Sequence, residues 1–237
     1  RLVETRTSEI ATTVTAEQVR FLPQNQRNFL NFASLAPGAR VSDSETRKQV
    51  TGGGLDATQI NVFIDGVSFK NDVLDGGVVG QDSSRGSPFP QTAVQEFQVL
   101  TNQFDAQYGR TSGAIINAIT KSGTNRFHGS GIGFFQDGAL NAKNRFGILN
   151  NLESPDIHLR QYGGTIGGPI KQDFAHFFFG IERTTIAEGV IINIPARPEF
   201  NTSTTEDTKA LNTSIRFDMQ PAQNHQIAGR WVREHSP

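Results

Sequence analysis

Two patterns of apolar and polar positions divide the sequence near residue 125. Before it the apolar runs are short and broken by capping and turn residues; after it they become long alternations without a helical period. Residues 1–15 alternate small polar and apolar side chains and predict an entering strand. Thr15, with Gln18 three residues on, forms a capping-box pattern that opens a short helix through about Phe21. Phe29, Phe32 and Ala33 share one face of a second helix, predicted from Asn25 to Leu35 and stopped by Pro37-Gly38. Ile60, Val62 and Ile64 alternate with Asn61, Phe63 and Asp65, and Asp65-Gly66 is a tight-turn signal, so Gln59 to Phe69 predicts a hairpin. Gln91 to Gln95 reads as one helical turn feeding a short strand from Glu96 to Leu100. The strongest segment is Tyr108 to Asn125, a glycine-punctuated turn followed by a strand. In that strand Ile115, Asn117 and Ile119 face one way and Ile116, Ala118 and Thr120 the other, and Ser122-Gly123-Thr124-Asn125 closes it.

The second part predicts five strands: Phe127 to Gln136, Arg160 to Ile170, Phe174 to Thr185, about Thr208 to Met219, and about Gln226 to Glu234. In the fourth, Leu211, Thr213, Ile215, Phe217 and Met219 alternate with Asn212, Ser214, Arg216 and Asp218. In the second, Tyr162, Ile166 and Ile170 oppose Gln161, Thr165 and Gly167. Strands two and three, and four and five, are joined by a few residues, whereas the other two connections are roughly twenty residues each, the short-and-long alternation of outer-membrane barrels. That pattern places Leu211, Ile215 and Phe217 against lipid and Asn212, Ser214 and Arg216 in the lumen, where arginine at position 214 should be tolerated. Five strands leave two open edges and cannot close a pore.

The string Tyr108-Gly109-Arg110-Thr111-Ser112-Gly113-Ala114-Ile115-Ile116-Asn117-Ala118-Ile119-Thr120-Lys121-Ser122-Gly123-Thr124-Asn125 strongly resembles the segment that closes the plug of TonB-dependent outer-membrane receptors. Leu22 to Phe29, Leu35-Ala36-Pro37-Gly38, Phe63 to Val67 and Val94 to Val99 occur in the plug's order, and the wording is most similar to the Oar-like branch. The resemblance implies an α+β plug domain over residues 1–125, a small mixed sheet with short helices, followed over residues 126–237 by the first strands of an antiparallel transmembrane β-barrel. Such barrels have about twenty-two strands, so the chain is expected to be a fragment. It also implies the cell outer membrane, contact with its lipid, an external solute, and TonB with ExbB and ExbD acting on a segment upstream. A chain leaving a periplasmic plug goes up first, so the first connection should be external.

Composition narrows the classes further. A net charge of −1 disfavours nucleic acid, and no run is apolar enough for a transmembrane helix, which leaves a barrel allowed. The absence of cysteine removes disulfides, thiolate metal sites and cysteine nucleophiles. His128, His158, His176, His225 and His235 lack metal-ligand spacing, and Gly163 to Pro169 lacks the ending of a phosphate loop. No catalytic constellation, metal site or cofactor is expected.

What remains is binding and gating. The stretch from Lys70 to Gln91 is too long and polar for an ordinary connector. Asp82, Ser83, Ser84 and Arg85 within it are candidate ligand-binding residues, the alternative being a connector without contacts. Glu96, Tyr108, Arg110 and Lys121 are candidate plug-to-barrel contacts; for the three charges among them the alternative is a solvated surface. Beside a transporter, a non-transporting Oar-like structural or adhesion protein and a soluble all-β binding module remain open.

Overall fold

The computed structural model describes residues 10–22, 28–43, 48–70, 89–102, 108–140, 157–192 and 200–236, with isolated positions between 141 and 197. Two five-stranded sheets carry it. The first is mixed: β1 (Ile10–Val14), β6 (Val94–Asn102), β7 (Ala114–Thr120), β4 (Ile60–Ile64) and β5 (Val67–Ser68) lie in that spatial order, and only the β4–β7 pair is parallel. A separate hairpin, β2 (Ala39–Asp43) with β3 (Lys48–Gly52), completes this half. The second sheet is an antiparallel meander of β8 (His128–Asp137), β9 (His158–Lys171), β10 (Ala175–Ile192), β11 (Thr202–Ala222) and β12 (His225–His235), each pairing with its sequence neighbours. Its two edges, β8 and β12, are not joined, so it does not close.

Local chemistry accounts for most of the mixed half. Thr15 accepts from the Gln18 amide while the Gln18 side chain accepts from the Thr15 amide, the reciprocal cap that starts the helix α1 at Ala16–Phe21. The predicted second helix is instead a 3₁₀ helix over Phe29–Leu35, capped by Asn28, whose side chain accepts from the Leu30 amide at 2.9 Å. Its buried pairs Phe29/Phe32 and Leu30/Ala33 are three apart, the period of a 3₁₀ turn. Phe29 and Phe32 close on Phe97 of β6 at ring-centroid distances of 5.9 and 6.4 Å. At the hairpin, Asp65 and Gly66 have φ of 48° and 81°, the two positive values a tight two-residue turn requires.

In the meander the alternation predicted from sequence governs which side is covered. Gln161, Glu182, Asn212 and Ser214 are buried on the face toward the mixed sheet, while Tyr162, Ile166, Ile181, Ile215 and Trp231 are exposed on the other. The register puts Ile166, Phe179, Ile215 and Trp231 in one row across β9 to β12. Ile215→Arg at the middle of this apolar face is expected to cost about 2–4 kcal/mol in the complete protein. Unfolding measured in bilayers checks it, and a cost near zero would put this face in water.

Two expectations are corrected. β10 continues to Ile192 and β11 starts at Thr202, so the connection between the third and fourth strands shrinks to residues 193–201. The added length ends in an unbroken apolar run on β10, Val190 to Ile192, and a polar run on β11, Thr202 to Asp207, so neither alternates. Arginine at position 214 should not be tolerated: Ser214 is 3% exposed and its Oγ lies 3.0 Å from where a Cβ on Gly180 would sit, so the space is filled.

Candidate functional site

The polar seam between the two sheets is the site the fold builds. It has two clusters, each joining a buried or half-buried charge on the meander to a turn of the mixed sheet.

The first centres on Asp65. Its carboxylate accepts from the Thr120 amide (2.8 Å) and hydroxyl (2.6 Å), which ties the hairpin turn to the end of β7. Two arginines reach it from neighbouring strands of the meander: Arg230 Nη1 at 2.6 Å and Arg216 Nη1 at 3.4 Å. Arg216 donates further to the Thr120 carbonyl and hydroxyl and holds Asp218 through Nε and Nη2. The Arg230 guanidinium also lies 5.5 Å from the centre of the Phe69 ring. Arg216, Arg230 and Asp65 keep 19, 15 and 22% of their side-chain surface, so water screens these pairs only in part.

The second cluster centres on Glu182, which is fully buried in β10. One carboxylate oxygen accepts from Gln161 Nε2 at 2.6 Å; the other takes the Thr92 hydroxyl at 3.1 Å and the Thr92 amide at 3.4 Å. Lys121 Nζ donates to the Thr92 carbonyl at 2.8 Å, so that turn is held from both sides. Apolar contact crosses the seam as well, since Phe178 and Val232 of the meander pack with the core of the mixed sheet.

Below the clusters the chain passes from one sheet to the other through Ser122 to Asn125. Gly123 lies against the meander so closely that a Cβ there would sit 2.3 Å from the Phe177 carbonyl oxygen and 2.8 Å from that of Gly168. Asn125 accepts from the Asp173 amide at 2.9 Å and donates to its carboxylate, and His176 Nε2 lies 2.7 Å from Asn125 Oδ1. The beginning of the strong segment is fixed differently. Asn61 donates to the Gly109 carbonyl, and the Ser112 and Gly113 amides with the Thr111 hydroxyl all donate to the Gln59 carbonyl.

Among the residues singled out from sequence, Lys121 is brought to the seam. Glu96 is half-buried in β6 opposite Ile119. Tyr108 packs edge-on against Phe63 at 5.4 Å, in a small cluster with Leu100 and Ile115. Arg110 holds a left-handed φ of 62° and its carbonyl accepts Lys70 Nζ at 2.7 Å. Desolvation, and then the Arg110 charge, hold the Lys70 ammonium below the ordinary lysine pKa. Asp82, Ser83, Ser84 and Arg85 lie outside the described residues. The sequence reading did not single out Asp65, Glu182 and Arg230 as seam residues. The polar faces of the third and fourth strands were the available signal for Glu182, Arg216 and Asp218.

Comparison with known proteins agrees with the fold. Residues 119–199 match the model of an outer membrane beta barrel domain. Solved structures of the same fold include a variant of the ferric enterobactin receptor of Pseudomonas aeruginosa and the outer membrane transporter YddB of Escherichia coli. The first gives a TM-score of 0.66 at 13% identity and covers 98% of this chain and 34% of that one. The second gives 0.70 at 13% identity and covers 95% and 33%. The chain is an outer-membrane protein of the β-barrel class. In sequence it is 31% identical over 158 residues to the TonB-dependent transporter Oar of Myxococcus xanthus, covering 65% of this chain and 14% of Oar. It is 26% identical over 247 aligned positions to the ferrienterobactin receptor of Escherichia coli K12, covering 94% of this chain and 30% of that receptor. The chain is thus a homologue of the TonB-dependent outer-membrane receptors, and it spans less than a third of the length of these two relatives.

Proposed function

We propose that the chain forms the plug and the first wall strands of a TonB-dependent outer-membrane transporter, residues 1–125 being the plug domain and residues 126–237 the N-terminal strands of the barrel. The observation that carries this is the two-sidedness of the meander: its inner face is bonded to the mixed sheet through Asp65, Arg216, Arg230, Glu182 and Thr92, while its outer face carries an exposed apolar band. A plug held by hydrogen-bonded charges rather than by a broad apolar surface stays seated at rest. It also separates without exposing a large hydrophobic area to water.

The solute binds at the external face and enters with energy supplied from the inner membrane through TonB with ExbB and ExbD. The outer membrane holds no nucleotide supply, so uptake against a gradient has to be driven mechanically. The segment from Lys70 to Pro90, with Asp82, Ser83, Ser84 and Arg85, offers a carboxylate, hydroxyls and a guanidinium to a polar solute. Iron-chelating siderophores are the first solutes to test, since one relative is a ferrienterobactin receptor. In cells carrying the full-length protein, uptake of a bound solute should stop when the proton-motive force is collapsed while surface binding persists. Uptake that survives the protonophore would refute the coupling. Alanine at positions 82 to 85 is expected to weaken surface binding with barrel assembly intact, and unchanged affinity would remove these residues from the site.

A further inference from the structure

The outer face of the meander carries a row of cations at one end of its apolar band. Arg160 stands opposite Thr185, which stands opposite Lys209. One row nearer the short turns, Tyr162, Arg183, Leu211 and His235 lie side by side, and in the next row Thr213 pairs with Arg233. These positions share the strand alternation of Ile166, Phe179, Ile215 and Trp231, so the side chains leave the sheet on the face turned from the mixed sheet. Arg160, Arg183, Lys209 and Arg233 are all exposed.

Two aspartates share that end of the face. Asp207 lies 3.9 Å from Lys209, with both side chains about half exposed, a pair that offsets little. Asp137 stands opposite His158. Among the described residues, three arginines and a lysine against two aspartates leave the end cationic. At the short-turn end of the same face, the corresponding cation is Lys171, which lies over the Phe174 ring at 4.8 Å.

We infer that Arg160, Arg183 and Arg233, with Lys209, bind the phosphate groups of a lipid headgroup in the leaflet at the long-connection end. The inference rests on the reading of the meander as membrane wall. From Ile170 to Arg160 a strand rises about 33 Å, which at a barrel tilt of about 40° is about 25 Å of height, the thickness of the apolar band of such walls. Arg160 therefore stands at headgroup level with Tyr162 beside it as an interfacial aromatic, and Arg183 and Arg233, one and two rows lower on the face, reach that level by extending their long side chains. They do not mark the end of the sheet. β10 and β11 continue past this level, and on this face they carry Asp207 opposite Ala187 and Thr205 opposite Gly189, so the fold places water beyond the cations and hydrocarbon below them. Guanidinium groups suit this level because a planar fork takes two phosphate oxygens at once and is weakly hydrated.

The test uses the full-length protein extracted from outer membranes in mild detergent, with bound phosphorylated lipid counted by native mass spectrometry. The combined variant Arg160→Gln, Arg183→Gln, Arg233→Gln should lower the lipid-bound fraction at least about tenfold. Lys171→Gln should leave it unchanged, and inorganic phosphate in excess should not displace the lipid. Undiminished lipid on the combined variant, or displacement by inorganic phosphate alone, would overturn the inference while the wall reading stands. A wild-type protein that fails to enter the outer membrane would overturn both.

Discussion

Asp65→Ala is expected to loosen the seating of the mixed sheet by about 3 kcal/mol, because it strips partners from groups that remain partly buried. Arg230 loses the carboxylate at 2.6 Å, Arg216 loses one of its two acidic partners, and the Thr120 amide and hydroxyl lose their acceptor. The loss stays below the upper range for a buried pair because Asp218 still holds Arg216 and each side chain keeps some contact with water. Hydrogen exchange at Ile119 and Thr120, in the full-length protein in bilayers, should speed up by about two orders of magnitude. Asp65→Asn, which keeps an oxygen for the Thr120 amide but not the charge, should produce a smaller change. Unchanged protection in the alanine variant would mean that the cluster does not hold the sheet.

Gly123→Ala is the second large effect. The new methyl would meet the Phe177 carbonyl oxygen at 2.3 Å, and the Gly168 oxygen and Phe177 nitrogen at 2.8 Å, all of them backbone atoms that cannot rotate away. The turn must move instead. It carries with it the Lys121 bond to Thr92 and the Asn125 bonds to Asp173. Forced overpacking of this kind costs about 3 kcal/mol. Thermal unfolding of the assembled protein checks it against Gly131→Ala, where a methyl meets nothing within 4 Å and the expected change is near zero. Equal stability of the two variants would refute the close approach.

The parts of the fold that were legible in the sequence are those fixed by local chemistry. The Thr15–Gln18 cap, the Asp65-Gly66 turn and the alternation of Leu211 to Met219 each depend on residues within a few positions of one another. The hairpin of β2 and β3 was missed: Val41 and Val50 are its only large apolar cross-strand pair, too little to make a pattern. The ends of β10 and β11 were missed because Val190 to Ile192 is uniformly apolar and Thr202 to Asp207 uniformly polar, and neither run alternates. The seam was illegible for a different reason. Glu182 reads as one more charge beside Arg183, and only folding sets it between Gln161 and Thr92. Likewise Asp65 meets Arg230 from the other end of the chain.

Arg216 and Arg230 are direct cross-strand partners on the inner face of the meander, an arrangement of like charges that a sheet would ordinarily avoid. Asp218 offsets one of them, and Asp65, from the other sheet, offsets the remaining charge. The meander is electrically complete only while the mixed sheet lies against it. Any excursion of that sheet leaves behind an electropositive imprint matched to the carboxylate that left, so the displaced state raises its own energy and marks its own return address.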